Sequence, residues 1–240
     1  MSDEVELKIA WASVAPASQR SAEVFEDLVS RHRQTHRRYH GLRHVVWVLR
    51  HTRRLEAAIP ECEGDSTPYD GAAVTAAACF HDAVYDPRAD DNEARSALLA
   101  THQLASVGWS ERRCALVAGL IEATAGHLAD DEGAISGEAV GGAATLEHGV
   151  LERGVLLDAD LGVLGSEPSA YAAYVNGVRA EYGHLTAEQW VTGRAAVLQR
   201  LHGRAHLYAT EPARAWWEQR ARANLTAELA GLARSERSAR

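Results

Sequence analysis

The sequence predicts an all-α protein, and three features of the chain support this fold class. Ala, Leu, Arg and Glu are abundant while Phe and Ile are scarce, a balance that favours helix over strand. Apolar residues recur at helical spacing, as Val24, Phe25, Leu28 and Val29 do near the start of the chain. No segment alternates convincingly between apolar and polar residues, and no heptad repeat is present.

Local signals mark where the predicted helices begin and end. Ser18 or Ser21 can cap the first helix, Pro60 stops the second, and Gly108 ends the fourth. The third helix is apolar nearly all round, so we expect it at the centre of the fold. The predicted helices cover residues 18–35, 39–59, 71–85, 91–107, 110–127, 168–182, 186–203 and 211–233, with an apolar segment carrying acids at 150–165.

The chain is predicted to form a single domain over residues 1–240. Its core should span about residues 18–183, with the helices at about 186–233 packed on it. Residues 128–147 are rich in Gly and acids and offer the best place for a boundary. We draw none there because candidate site residues lie on both sides.

Composition and charge exclude several classes of protein. A net charge of −8 argues against a general nucleic-acid binder, which usually presents a basic surface. No apolar run approaches the roughly 20 residues of a membrane span, and the acidic N-terminus lacks the apolar core of a secretory signal. The three cysteines are scattered and form no CxxC pair, which fits a reduced, cytoplasmic location.

Four ionisable residues stand in otherwise apolar surroundings: His44, His81, Asp82 and Asp160. A buried carboxylate or imidazole needs a partner, because an unpaired charge costs several kcal/mol to desolvate. One shared divalent cation would satisfy all four side chains at once. Two imidazoles and two carboxylates suit Mn²⁺, Fe²⁺, Co²⁺, Ni²⁺ or Zn²⁺. Most other histidines, His32 among them, are expected on the surface.

Three stretches of the chain resemble the HD superfamily of metal-dependent phosphohydrolases: "RHVVWVLRH", "AACFHDAVYD" and "DADLGVLG". The resemblance implies a helical HD domain in which His44, His81, Asp82 and Asp160 hold the metal. In the last stretch it favours Asp160, with Asp158 as the alternative ligand or as a helix cap. Further pieces across residues 37–232, such as "YAAYVNGVRAEYG", are similar to a narrower bacterial group of predicted HD phosphohydrolases.

The stretch "YHGLRH" is similar to the Tyr-His-Asn-x-x-His segment of cyclic-nucleotide phosphodiesterases. This resemblance implies that His40 is the general acid and His44 a metal ligand. Residues four apart share one helical face, which would bring the two imidazoles together. Gly41 replaces the Asn of that family and can delay the helix start, which would leave His40 on a loop.

The remaining candidates have weaker support. Asp82 can orient an attacking water as well as bind metal, and Glu93 can orient a water or simply add charge to a first helical turn. An arginine near the histidines can clamp a phosphate, or can belong to a solvated face. The candidates for phosphate binding are Arg43 and Arg37, and those for a second metal ion or for support of the ligands are His127, Asp158 and Asp86.

The predicted activity is hydrolysis of a phosphate ester in a nucleotide-like or other small phosphorylated metabolite, with a divalent metal ion as cofactor. One alternative is an HD-type di-iron oxygenase, for which His127 is the obvious extra ligand. Another is a binding module that a metal merely stabilises. No membrane partner is expected, and a homodimer is compatible with the sequence, which shows no surface for it.

Overall fold

The structure is a computed structural model, and it describes residues 1–59, 69–125 and 149–238. Every regular element in these ranges is helical and none is a strand, which confirms the all-α prediction. The helices are α1 (Asp3–Val14), α2 (Gln19–His32), α3 (Leu42–Glu56), α4 (Gly71–Phe80), α5 (Asn92–Ser106), α6 (Glu111–Ala125), α7 (Val150–Leu161), α8 (Pro168–Glu181), α9 (Ala187–Gly203), α10 (Glu211–Ala213) and α11 (Gln219–Ser238). A 3₁₀ turn, Gly162–Gly165, follows α7, and a π-helical segment, Arg214–Glu218, joins α10 to α11.

Helix α1 is an element that the sequence patterns do not predict. Ser2 caps it by accepting a hydrogen bond from the backbone N–H of Val5. Its buried face consists of Leu7, Ala10 and Trp11, and the Trp11 indole N–H lies 2.9 Å from both the carbonyl and the hydroxyl of Ser21. The acidic N-terminus is therefore part of the folded bundle.

Helix α4 is central, as its apolar sequence predicts. Residues 73–80 are all buried, and the helix packs against α1, α3, α6 and α7. It ends at Phe80, whereas the sequence predicts helix to residue 85. His81 is its C-cap residue and Asp82 lies in the turn beyond. These two polar residues therefore lie together where the apolar helix ends.

The C-terminal helices pack on the rest of the bundle. Helix α11 contacts α9 and the 3₁₀ turn, and Asn224 donates hydrogen bonds to the carbonyls of Leu164 and Ser166. The ion pair between Arg194 and Glu228 holds α9 to α11 with both side chains buried. In the described ranges, no helix has both the length and the apolar character needed to cross a bilayer.

Candidate metal centre

Three helices bring His44, His81 and Asp160 to one point. His44 lies in the first turn of α3, His81 is the C-cap residue of α4, and Asp160 is the residue before the last one of α7. One ligand atom from each lies within 4.8 Å of the others. The Nε2 atoms of His44 and His81 are 3.1 Å apart, and Asp160 Oδ1 is 3.1 Å from His44 Nε2. These residues form a buried group that can hold a metal ion.

Asp82 adds a second carboxylate to this group. Its Oδ2 lies 3.3 Å from Nε2 of His44 and 3.3 Å from Nε2 of His81. That oxygen is buried and accepts no well-formed hydrogen bond from the described residues. A carboxylate oxygen of this kind, pressed against two imidazole nitrogens, is better satisfied by a shared cation than by either ring.

The spacing of the ligand atoms also fits an ion. Neighbouring ligands lie about 3.0–3.4 Å apart when metal–ligand bonds are about 2.1 Å and the geometry is octahedral or tetrahedral. Four of the contacts among His44, His81, Asp82 and Asp160 measure 3.1–3.3 Å, and the fifth, from His81 to Asp160, is 3.9 Å. The chemistry of the donor set and its spacing therefore both suit a metal ion.

Hydrogen bonding orients the imidazole of His81. Its Nδ1 lies 3.0 Å from the carbonyl oxygen of Ala78, which can only accept, so Nδ1 carries the proton and Nε2 keeps its lone pair towards the carboxylates. Such outer hydrogen bonds are typical of metal-binding histidines.

The electrostatic field of the group favours positive charge. Burial by itself lowers the pKa of His44, but its close contacts with the Asp160 and Asp82 carboxylates and their negative charges outweigh burial and raise it to about 10. Burial would raise the pKa of Asp82, but the charges of His81 and His40 and the contact with His44 hold it well below its usual range. A proton on His44 or a metal ion at the centre supplies the required charge.

The two aspartates of "DADLGVLG" have different roles. Asp158 is buried and faces away from the centre. Its carboxylate accepts hydrogen bonds from the backbone N–H groups of Ala209 and Thr210 and from the Thr210 hydroxyl, all at 2.6–2.7 Å. Asp158 thus anchors the segment before α10, and Asp160 is the aspartate near the histidines.

His40 lies beside this group, although not on α3. The helix begins at Leu42 with Gly41 as its N-cap, so the shared helical face suggested for His40 and His44 does not exist. The two rings are nevertheless 5.6 Å apart between centroids. Glu181 at the end of α8 holds His40, because its Oε2 lies 2.6 Å from His40 Nδ1.

Glu181 is the residue whose role in the site was missed from sequence. Its side chain is fully buried and accepts hydrogen bonds from the backbone N–H groups of Arg38, Tyr39 and His40, as well as from the Tyr85 hydroxyl. Burial would raise its pKa, but the hydrogen bond and charge of His40 and those backbone donors lower it to about 2. Sequence indicates only a polar network that joins the C-terminal helices to the core.

Arg37 has a structural position, not the exposed one that phosphate binding would need. It is buried, and its guanidinium donates to the carbonyls of His40, Asp82 and Ala83 and to the side chain of Gln34. These bonds tie the loop before α3 to the turn after α4. Because these donors are already engaged inside the protein, Arg37 does not fit the predicted role of binding phosphate. Arg43, the other predicted phosphate-binding residue, is exposed on α3.

Two further predicted candidates, Asp86 and Glu93, are not among the grouped ligands. Asp86 is exposed, and its carboxylate accepts from the Arg88 backbone N–H within a turn. Glu93 is in the first turn of α5, where its charge helps to raise the pKa of Tyr182 after the larger effects of burial and Glu181. Neither belongs to the ligand group found among the described residues. His127 lies outside the residues that the structure describes.

One histidine predicted at the surface is buried. His32, at the end of α2, is 2% exposed and its Nε2 lies 3.1 Å from the carbonyl oxygen of Cys79. Burial lowers the pKa of His32 to about 3, so it is neutral and structural.

The fold and site define an all-α protein with a buried His–His–Asp group that can hold a metal ion. Comparisons of the chain with protein-family models, with curated proteins and with solved structures gave no match. The resemblance to the HD superfamily therefore remains a prediction from the sequence.

Proposed function

We propose that the protein is a metal-dependent phosphohydrolase of the HD type that cleaves phosphate esters of small metabolites, including nucleotide-like ones. The observation that carries the proposal is the convergence of His44, His81, Asp82 and Asp160 within 3.1–3.9 Å contacts, with His40 beside them. A divalent ion held there supplies Lewis-acid stabilisation of phosphate oxygens and makes water more acidic.

His40 has the arrangement expected of a general acid. Glu181 is ionised and can only accept, so Nδ1 of His40 carries a proton and the opposite nitrogen, Nε2, is left for a leaving oxygen. To act as a general acid, His40 must carry a second proton on Nε2, and this Nε2 proton would pass to the leaving oxygen while Nδ1–H stays bonded to Glu181. The His40 side chain is 23% exposed, so a substrate can reach it.

A cavity of about 550 Å³ is lined in part by Glu181, the residue that holds His40. Residues 83–86, which follow Asp82, form part of its wall together with Glu181. Arg31, Arg88 and Arg95 also line it. Such a cavity suits an anionic ligand, and these arginines replace Arg37 as the candidates for contacting phosphate.

The test is phosphate release from a panel of nucleotides and sugar phosphates, with each of Mn²⁺, Fe²⁺, Co²⁺, Ni²⁺ and Zn²⁺ added in turn. His40→Gln should lower kcat about 100-fold or more without changing metal affinity, since general acids contribute about 10²–10⁴-fold. His102→Gln, an exposed change on α5, is the matched control and should retain full activity.

Two outcomes contradict the proposal. One is the absence of turnover with every metal and substrate while the metal still binds, which supports a metal-stabilised binding module. The other is oxygen consumption by the anaerobically iron-loaded protein with an organophosphonate or polyol, which supports the oxygenase alternative.

A further inference from the structure

A second cavity, of about 340 Å³, lies between α3, the 3₁₀ turn with the start of α8, and the π-helical segment. None of the candidate metal ligands lines it. Three tryptophans do so, together with a histidine, two arginines and one glutamate. These residues are Trp47, His51, Arg54, Glu167, Trp216, Trp217 and Arg220, and the remaining wall comes from Gly162, Gly165, Ser166 and Ala170.

The aromatic walls of this tryptophan cavity are held in place by the fold. Trp47 and His51 stack with ring centroids 4.0 Å apart, and His51 is 5.4 Å from Trp217. Trp217 approaches the 3₁₀ turn so closely that a Cβ at position 165 would lie 2.4 Å from its own Cβ. The π-helical segment, a form common at functional sites, sets this position of Trp217.

Two polar groups in the walls lack a hydrogen-bond partner within the described residues. The indole N–H of Trp47 and the hydroxyl of Ser166 are buried and have no hydrogen-bond partner among the described residues. Buried donors of this kind usually have partners, so these two point to something that the protein chain itself does not provide. His51 donates from Nδ1 to the carbonyl of Trp47 at 2.7 Å, which leaves its Nε2 as an acceptor.

The charge of the cavity is positive. Arg220 pairs with Glu167 at 3.0 Å, so these two charges offset each other. The Arg54 guanidinium lies 4.1 Å from the centre of the Trp216 ring and adds a further cation at the rim. Burial lowers the pKa of His51, which keeps its ring neutral and adds no second cation.

We propose that the tryptophan cavity binds a small planar heteroaromatic anion, with its ring against the tryptophans and its negative charge beside Arg54. Aromatic faces favour stacking of a flat ring, the Trp47 and Ser166 donors suit its acceptor atoms, and an arginine suits a carboxylate or phosphate. The volume is at the lower end for ligand pockets, so a ligand of one or two rings fits. The proposal does not depend on phosphohydrolase activity.

The test uses the full chain and calorimetric titration with indole-3-carboxylate and nicotinate. Uncharged indole and non-aromatic cyclohexanecarboxylate serve as comparison ligands and should bind more weakly. Binding should be the same with Mn²⁺ and after metal removal by a chelator, because the cavity contains no candidate metal ligand. Dependence on the metal would instead assign the ligand to the metal centre and overturn the proposal.

Three variants locate the binding. Trp47→Phe keeps a ring but removes the unpartnered N–H, and should weaken binding about three- to tenfold. Arg54→Gln should weaken binding of the acids about fivefold and leave indole unaffected, whereas Arg53→Gln, one position away and outside the cavity, should change neither. The proposal is overturned if neither acid binds with a Kd below about 1 mM, or if Trp47→Phe and Arg54→Gln bind as the natural chain does.

Discussion

Glu181→Gln is the substitution that most directly tests how the site is held together. The natural carboxylate is fully buried and accepts from three backbone N–H groups, from the Tyr85 hydroxyl and from His40. Lowering its pKa from 4.5 to about 2 corresponds to about 3 kcal/mol of folding stability, at about 1.4 kcal/mol for each tenfold change in proton affinity. Gln carries no charge and directs an NH₂ group at some of these donors, so the variant should lose about this amount.

The stabilisation that Glu181 provides should depend on pH. Because the folded-state pKa of Glu181 is lowered, its stabilisation is present in full above the unfolded value of 4.5 and is lost as the pH falls towards about 2. Urea denaturation should therefore show a difference of about 3 kcal/mol between the natural chain and Glu181→Gln at pH 7, which narrows between about pH 4.5 and pH 2. Glu188→Gln, an exposed change on α9, should stay within about 0.5 kcal/mol. A difference below about 1 kcal/mol at pH 7, or one that does not change with pH, would refute the reasoning.

Four further substitutions test the roles of individual residues. Asp160→Asn should weaken metal binding at least about tenfold in a competition titration. Asp158→Asn should leave the metal affinity unchanged but lower the free energy of unfolding by about 2 kcal/mol, measured by urea denaturation. The reverse pattern would exchange the roles of the two residues. Arg37→Met should destabilise the protein by about 2–4 kcal/mol, because buried carbonyls lose their donor, and an unchanged urea midpoint would contradict its structural role. Gly165→Ala should cost about 1–3 kcal/mol, since its Cβ would overlap Trp217, and an unchanged melting temperature would show that Trp217 can move.

The helical class and the central position of α4 follow from the sequence because they depend on composition and apolar spacing. The convergence of His44, His81 and Asp160 can be proposed from their apolar surroundings, and the structure brings these residues together. The apolar pattern alone does not choose between Asp158 and Asp160, although the family resemblance favours Asp160. Both are acids in one apolar segment, and only the packing of residues 209 and 210 against α7 separates them.

The contacts that sequence does not reveal are those between segments far apart in the chain. Glu181 meets His40 across 141 positions, and no local pattern records that meeting. His32 looks solvated because it has polar neighbours in sequence, yet it packs under the end of α4. The tryptophan cavity likewise depends on a π-helical segment, a form with no simple sequence signature.

The hydrogen bonds of Arg37 bear on how the candidate metal centre would gain and lose an ion. Its guanidinium donates to the carbonyls of His40, Asp82 and Ala83. The loop before α3 and the turn after α4 are therefore held together by a positively charged side chain. We therefore expect the bundle to fold without a metal ion, unlike small zinc domains, which stay unfolded until metal binds. Removing metal with a chelator should therefore abolish any metal-dependent activity while the bundle remains folded, and adding metal back should restore that activity without refolding.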